Sequence, residues 1–364
     1  MKRWPLLTAA LLALTIALFS GCAALDERQR AWIFQPSDRS WGSSGDAALG
    51  MDDVWIDFQS KATGSAVKLH GLWLTSGTAQ PGTQADAVDT ARASREPGNA
   101  ASAASPVMLY LHGARWNVAG SAARIRRMQE LGFSVLAIDY RGFGKSSKDL
   151  PSEAMAVEDA RAAWNWLAAN YPQRPRYIFG HSLGGAIAIE LATQVEDETG
   201  TIVEGTFTSI PDVASSMKWG WLPIGPLITQ RFESVRKVAR IGSTLLVVHG
   251  TNDQLIVPEL GRKLFDAARE PKAFVLVDGG SHFNTNYVGQ AQYRKALAQL
   301  FNFYTGGAKR SPSGSLHGNP TGNSTSTSNS TSTSTTSGAT SGATSGPAFG
   351  PASSTTSGNA SLSF

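Results

Sequence analysis

The sequence predicts an α/β protein built on one open, mostly parallel sheet of eight strands, flanked by helices and carrying a short cap segment. Three observations carry that prediction. Short continuous apolar runs recur along the chain, helical patterns fill the gaps between them, and two β-rich segments precede the alternation. An apolar run of four to eight residues bounded by turn residues suits a strand buried on both faces, as in a parallel sheet.

The opening pair is Val54–Phe58 and Val67–Leu74, rich in β-branched and aromatic side chains. The buried runs follow as Pro106–Leu111, Ser134–Asp139, Tyr177–Gly180, Ile202–Phe207, Thr244–Val248 and Ala273–Val277. Helical patterns cover Ala119–Leu131, Ser152–Asn170, Leu183–Gln194, Glu259–Arg269 and Ala291–Tyr304. In the second of these, Ser152 stands as the cap before an apolar face of Val157, Ala160, Trp164 and Leu167.

Composition bounds the rest. The chain has 364 residues, 41% of them hydrophobic, enough for one large domain with a substantial core. Its formal charge of +4 is small, and no Lys/Arg-rich run occurs, so a nucleic-acid partner is not expected. Cys22 is the one cysteine, which rules out an internal disulfide. With no Cys/His ligand cluster, neither a metal nor another cofactor is expected.

The beginning of the sequence has the layout of an export signal: Met1-Lys2-Arg3, an apolar run from Trp4 to Phe19, then Ser20-Gly21-Cys22. The run is short for a bilayer span, which needs about 20 apolar residues. Phe19-Ser20-Gly21-Cys22 resembles the bacterial lipobox, although Phe19 stands where Leu is usual. The resemblance implies a signal peptide over residues 1–21, lipidation of Cys22, and a lipid-anchored protein of the bacterial cell envelope. Ala23 after the cysteine implies sorting to the outer membrane, facing the periplasm. An uncleaved anchor and an ordinary signal peptide are the alternatives.

Residues 22–50 are read as a linker and residues 51–305 as the α/β domain. Within the domain, residues 76–105 are Ala, Gly, Gln, Asp and Ser with few large apolar side chains, a composition expected of a disordered insertion. Residues 306–364, rich in Ser, Thr and Gly, are expected to form a disordered tail.

The decisive segment is Tyr177-Ile178-Phe179-Gly180-His181-Ser182-Leu183-Gly184-Gly185. A buried strand runs into Gly-x-Ser-x-Gly and a helix follows, the context in which a strained turn projects a nucleophilic serine from the sheet. Asp253 then follows the strand Thr244–Val248, and His282 follows Ala273–Val277, giving the order Ser, Asp, His. A serine is a weak nucleophile until an imidazole takes its proton, and a carboxylate fixes the tautomer of that imidazole. Ser182, Asp253 and His282 are therefore the expected catalytic residues, with Asp212 as a lower-ranked rival acid. The backbone N–H groups of Ala114, after the strand ending at Leu111, and of Leu183 are the expected oxyanion hole. His112 is read as shaping its loop and His181 as structural.

Asp139-Tyr140-Arg141-Gly142-Phe143-Gly144-Lys145-Ser146 lacks the first glycine of a phosphate loop, since Asp139 occupies that position, and is read as an ordered turn. Arg124, Arg126 and Arg127 are read as a solvated helix face rather than a lipid-phosphate site. Between Phe207 and Thr244, Trp219, Trp221, Leu222, Ile224, Leu227 and Ile228 either line an acyl pocket, touch a bilayer, or simply pack a small helical excursion.

Together, His112-Gly113, Asp139 to Ser146, Gly180 to Gly185, His249-Gly250-Thr251-Asn252-Asp253 and Gly280-Ser281-His282 resemble the α/β-hydrolase superfamily, in particular its compact, membrane-tethered serine esterases and thioesterases. That resemblance implies the α/β-hydrolase fold and cleavage of a carboxylic ester or thioester through an acyl-enzyme, acyl chains such as palmitate included. The substrate expected is a small-molecule or lipid ester, and the chain is expected to be a monomer. Two other functions remain open: a peptidase or amidase using the same triad, and an inactive hydrolase fold serving as an envelope binding protein. A dehalogenase is excluded because the nucleophile position holds Ser, not Asp.

Overall fold

In the computed structural model, the described residues are 21–37, 48–77, 105–115, 117–217 and 221–302. All belong to the first of two units, residues 1–309; the second, residues 310–364, lies outside the described residues. The expected leader up to residue 20, the insertion apart from its ends, the tail and Trp219 likewise lie outside them.

The eight strands are β1 (Asp52–Gln59), β2 (Ala66–Leu74), β3 (Val107–Leu111), β4 (Ser134–Ile138), β5 (Arg176–His181), β6 (Gly200–Glu204), β7 (Thr244–Gly250) and β8 (Lys272–Val277). They form one sheet in the order β1-β2-β4-β3-β5-β6-β7-β8. β1 pairs with β2 and β2 with β4 in antiparallel fashion, and every later pair is parallel. The helices are α1 (Ala122–Glu130), α2 (Glu153–Asn170), α3 (Leu183–Ala192), α4 (Ile210–Ser216), α5 (Ser234–Lys237), α6 (Pro258–Ala267), α7 (Thr285–Val288) and α8 (Gln290–Phe301).

The continuous apolar runs are explained by a core on each face of the sheet. Alternate residues of a strand point to opposite faces. On β3, Val107, Leu109 and Leu111 join a cluster with Trp164 of α2, Ile187 of α3 and Leu264 of α6. Met108 and Tyr110 join the opposite cluster with Ile125 of α1 and Leu297 of α8. Helices on both faces leave the central strands no wet side, so no polar alternation survives in their sequence.

Three expectations change at the edges of elements. The strand expected over Ile202–Phe207 stops at Glu204, because Gly205 turns the chain at a φ of 56°. Residues 21–34, read as leader and linker, are helical. Arg124 is not on a solvated face: its guanidinium is mostly buried and pairs with Glu204 at 3.0 Å.

Asp139 to Ser146 is an ordered turn. The Ser146 hydroxyl donates to the Asp139 carbonyl at 2.7 Å and accepts the His70 N–H at 2.8 Å. In the cap, Met217 and Ile228 pack against the core, while Trp221, Leu222, Ile224 and Leu227 stay exposed.

Candidate active site

The candidate nucleophile sits where β5 ends at His181 and α3 begins at Leu183. Ser182 has φ 56° and ψ −122°, a conformation rare and strained for a residue with a Cβ. Its N–H is held by the Glu204 carbonyl at 2.9 Å, tying the turn to the neighbouring strand β6. The turn closes only because its flanking residues lack side chains. A Cβ on Gly184 would stand 2.2 Å from the Leu111 carbonyl oxygen, and one on Gly180 would stand 2.3 Å from the Gly184 carbonyl oxygen.

Two loops leave the same edge of the sheet. After β7, the Asp253 carboxylate accepts the N–H groups of Leu255 and Ile256 at 3.0 and 2.9 Å through one oxygen. Its other oxygen accepts His282 Nδ1 at 2.8 Å. After β8, His282 Nε2 lies 3.0 Å from Ser182 Oγ. An ionised carboxylate only accepts, so Nδ1 is the protonated nitrogen and Nε2 is left to accept the serine hydroxyl. Asp253 and His282 are both buried. Burial raises the Asp253 pKa, but the hydrogen bonds from His249, His282 and the backbone outweigh it and hold the carboxyl far below the usual carboxylate range. The shift favours the ionised form of this carboxyl.

The loop after β3 lies against the nucleophile: a Cβ on Gly113 would stand 3.1 Å from Ser182 Cβ. Ala114 follows it directly. Leu183 opens α3, so its N–H has no acceptor within the helix. The Leu183 N–H and the positive end of α3 thus lie next to Ser182, with the loop that carries Ala114 packed against the serine. His112 lies behind that loop, its Nδ1 donating to the Gly113 carbonyl at 2.7 Å and its ring packed on Tyr140 and Phe143. Burial lowers its pKa. Among the described residues, no group of His, Cys, Asp or Glu side chains is arranged to hold a metal.

The structure thus brings together Ser182, Asp253 and His282, with Leu183 next to the serine in the chain and Ala114 on the loop packed against it. It does not bring in Asp212, whose carboxylate accepts the hydroxyls of Thr208 and Ser209 at 2.6 and 2.8 Å at the start of α4. Cys22 lies apart from the site, exposed on the N-terminal helical segment.

Sequence reasoning missed the supports of the histidine loop. His181 Nε2 donates to the His282 carbonyl at 2.9 Å, and burial drives the pKa of this ring well below its ordinary value. Arg124 donates to the next carbonyl, that of Phe283, at 3.2 Å while pairing with the buried Glu204. Tyr293 also donates to Glu204. The one sequence signal is a carboxylate closing the apolar strand Gly200–Glu204, which demands a partner.

A sheet of this order, with a strained serine turn after β5 and acid and histidine loops after β7 and β8, defines the class by its architecture: the chain has the α/β-hydrolase fold. The sequence profile of the family described as serine aminopeptidase, S33 matches residues 102–236. Among curated relatives, an uncharacterized protein of Mycobacterium tuberculosis is 34% identical over 179 residues, 49% of this chain and 63% of that protein. The lysophosphatidylserine lipase ABHD12 of Bos taurus is 31% identical over 195 residues, 48% of each chain. The match therefore spans about half to under two thirds of these relatives' length. Among solved structures, the Pyrococcus furiosus esterase Pf2001 superposes with a TM-score of 0.53 at 19% identity, covering 74% of this chain and 99% of that one. A puromycin-hydrolyzing peptidase of Mycobacterium tuberculosis superposes with a TM-score of 0.51 at 18% identity, covering 71% of this chain and 40% of that one. At such identities the two structures establish the fold alone.

Proposed function

We propose that this chain is a serine hydrolase that cleaves carboxylic esters or thioesters through an acyl-enzyme, in the bacterial cell envelope and tethered through Cys22 to the outer membrane. The observation that carries the catalytic reading is the unbroken relay from Asp253 through His282 to Ser182, at 2.8 and 3.0 Å.

In that mechanism Ser182 Oγ attacks the substrate carbonyl carbon as His282 Nε2 takes its proton. The carbonyl electrons move to oxygen, where the N–H groups of Ala114 and Leu183 stabilise the oxyanion. Collapse expels the alcohol or thiol, which receives the proton from His282 and leaves an acyl group on Ser182. Water, deprotonated by His282, repeats the attack and releases the acid. Asp253 keeps Nδ1 protonated and offsets the charge that His282 gains. No step calls for a cofactor.

The test is turnover of p-nitrophenyl esters from short to long acyl chain by wild type, Ser182→Ala and His282→Ala. Each substitution should lower kcat by roughly 10⁴-fold or more, with the unfolding transition retained. Activity surviving in either variant removes that residue from the mechanism. Amide hydrolysis is the second reading, favoured by the description of the matching family. Folded wild type that ignores every ester but cleaves an aminoacyl p-nitroanilide would establish it. Cleavage of neither would leave the binding-protein reading.

A further inference from the structure

The N-terminal helical segment, residues 21–34, is exposed at its beginning and buried at its end. Residues 21–25 are exposed, whereas Ile33 and Phe34 sit in the core. Between them the segment is fastened to the cap. Asp26 accepts the Thr229 hydroxyl at 2.7 Å and the Gln230 amide at 2.9 Å. Gln29 donates to the Leu227 carbonyl at 2.7 Å and accepts the Thr229 N–H at 2.8 Å. Arg30 donates to the Pro151 carbonyl at 3.0 Å, on the approach to α2. At the buried end, the ring of Phe34 meets Phe232 edge-on with centroids 5.8 Å apart. The Phe34 carbonyl accepts the Arg115 N–H at 2.9 Å, one residue beyond the oxyanion-hole residue Ala114. One helix therefore joins Cys22, the cap and the oxyanion loop.

The cap surface beside that helix is apolar. Trp221 is 73% exposed and Leu227 is 60% exposed, with Leu222 and Ile224 exposed between them. Single exposed apolar residues are ordinary, but four within one short segment form a patch that wants a partner. The sequence ahead of the helix identifies the partner. With the proposed tether, whether a lipidated Cys22 or a retained Trp4–Phe19 anchor, the bilayer is met at the start of this helix. From Cys22 to Phe34 a helix rises roughly 18 Å, at 1.5 Å per residue, so the tether holds the active-site edge close to the lipid surface.

We infer that residues 21–34 act as a rigid strut that presses the cap onto the membrane, with Trp221, Leu222, Ile224 and Leu227 entering the bilayer interface beside the active site. The occupant of this patch is the lipid surface that carries the tether. Tryptophan suits the interface because its ring is apolar and its N–H is polar. Esters lying in that membrane would then be presented to Ser182. The inference rests on the proposed membrane tether, not on ester chemistry.

The test uses the full chain in vesicles of phosphatidylethanolamine and phosphatidylglycerol, some of the lipid brominated near the head of its acyl chain. Co-flotation reports the tether, and quenching of tryptophan fluorescence reports insertion. Quenching should fall when Trp221 is replaced in Trp221→Phe, and also when the strut is unfastened in Asp26→Ala/Gln29→Ala, while co-flotation persists in both. Co-flotation with quenching unchanged in both variants overturns the strut and leaves the tether standing. Failure of wild type to co-float overturns both. A Trp221 signal that is already shielded from iodide before lipid is added would mean that the protein itself covers the patch, and this too overturns the inference. Every readout is independent of turnover, so failure of the ester reading is scored separately.

Discussion

At the residue scale, the grouping of Ser182, Asp253 and His282, the candidate triad, was legible because each member carries its own local signature: a serine between glycines after an apolar strand, then an acid and a histidine in loops at later strand ends. The polar groups that steady the triad were not legible. Arg124, Glu204 and Tyr293 lie on α1, β6 and α8, and nothing local in any of them announces the other two. An arginine on a helix reads as solvated until tertiary structure brings a buried carboxylate to it. Arg124 also holds the Phe283 carbonyl next to His282, so it should act on catalysis by positioning. Arg124→Met is expected to destabilise the protein by about 3 kcal/mol, the lower end for breaking a buried pair, since Tyr293 still serves Glu204. Its kcat should fall more than its KM changes. Arg124→Met/Glu204→Gln should recover part of the lost stability by removing the stranded charge. Equal melting temperatures for the single and double variants would remove the ion pair from this account.

At the scale of elements, long runs with a clear period were legible and short irregular ones were not. α2 begins after Ser152 as its capping pattern predicts, the hydroxyl accepting the Met155 N–H at 3.3 Å. α5 and α7 have four residues each, too few for any period to emerge. The helix over residues 21–34 escaped because most of its length is exposed and only Ile33 and Phe34 reach the core, which leaves no helical period to read. The antiparallel strand β2 carries a further unannounced contact. His70 Nδ1 lies 3.0 Å from Asp139, and Nε2 lies 2.7 Å from Asp53. Two carboxylates can only accept, so both ring nitrogens must donate and the imidazolium is the form that fits. Burial works against that charge, but the hydrogen bonds to Asp139 and Asp53 outweigh it and raise the His70 pKa. A raised pKa in the folded state means stability that is complete below the unfolded value, near 6.5, and is lost as pH rises through the folded value. His70→Gln should therefore lower the melting temperature more at pH 5.5 than at pH 9. An equal loss at both would show that His70 contributes packing alone.

For the molecule as a whole, the number of strands, their mixed start and the two-faced core were all foreseeable from apolar runs and their spacing. Placement of the cap was not, because its side chains divide between core and solvent in a way their composition does not distinguish. One consequence of the open sheet concerns how copies of the protein avoid one another. A sheet that never closes into a barrel keeps two borders, β1 and β8, which among the described residues pair with no further strand. β1 interrupts its apolar residues with Asp52, Asp53 and Asp57, so a second β1 laid alongside would set acid against acid. Asp52 and Asp57, exposed on this border, are expected to guard against aggregation. Asp57→Val should raise light scattering at high protein concentration while turnover in dilute solution persists, and scattering that matches wild type would deny the guard. A border left bare of such charges would offer each neighbouring copy a template on which to extend the sheet.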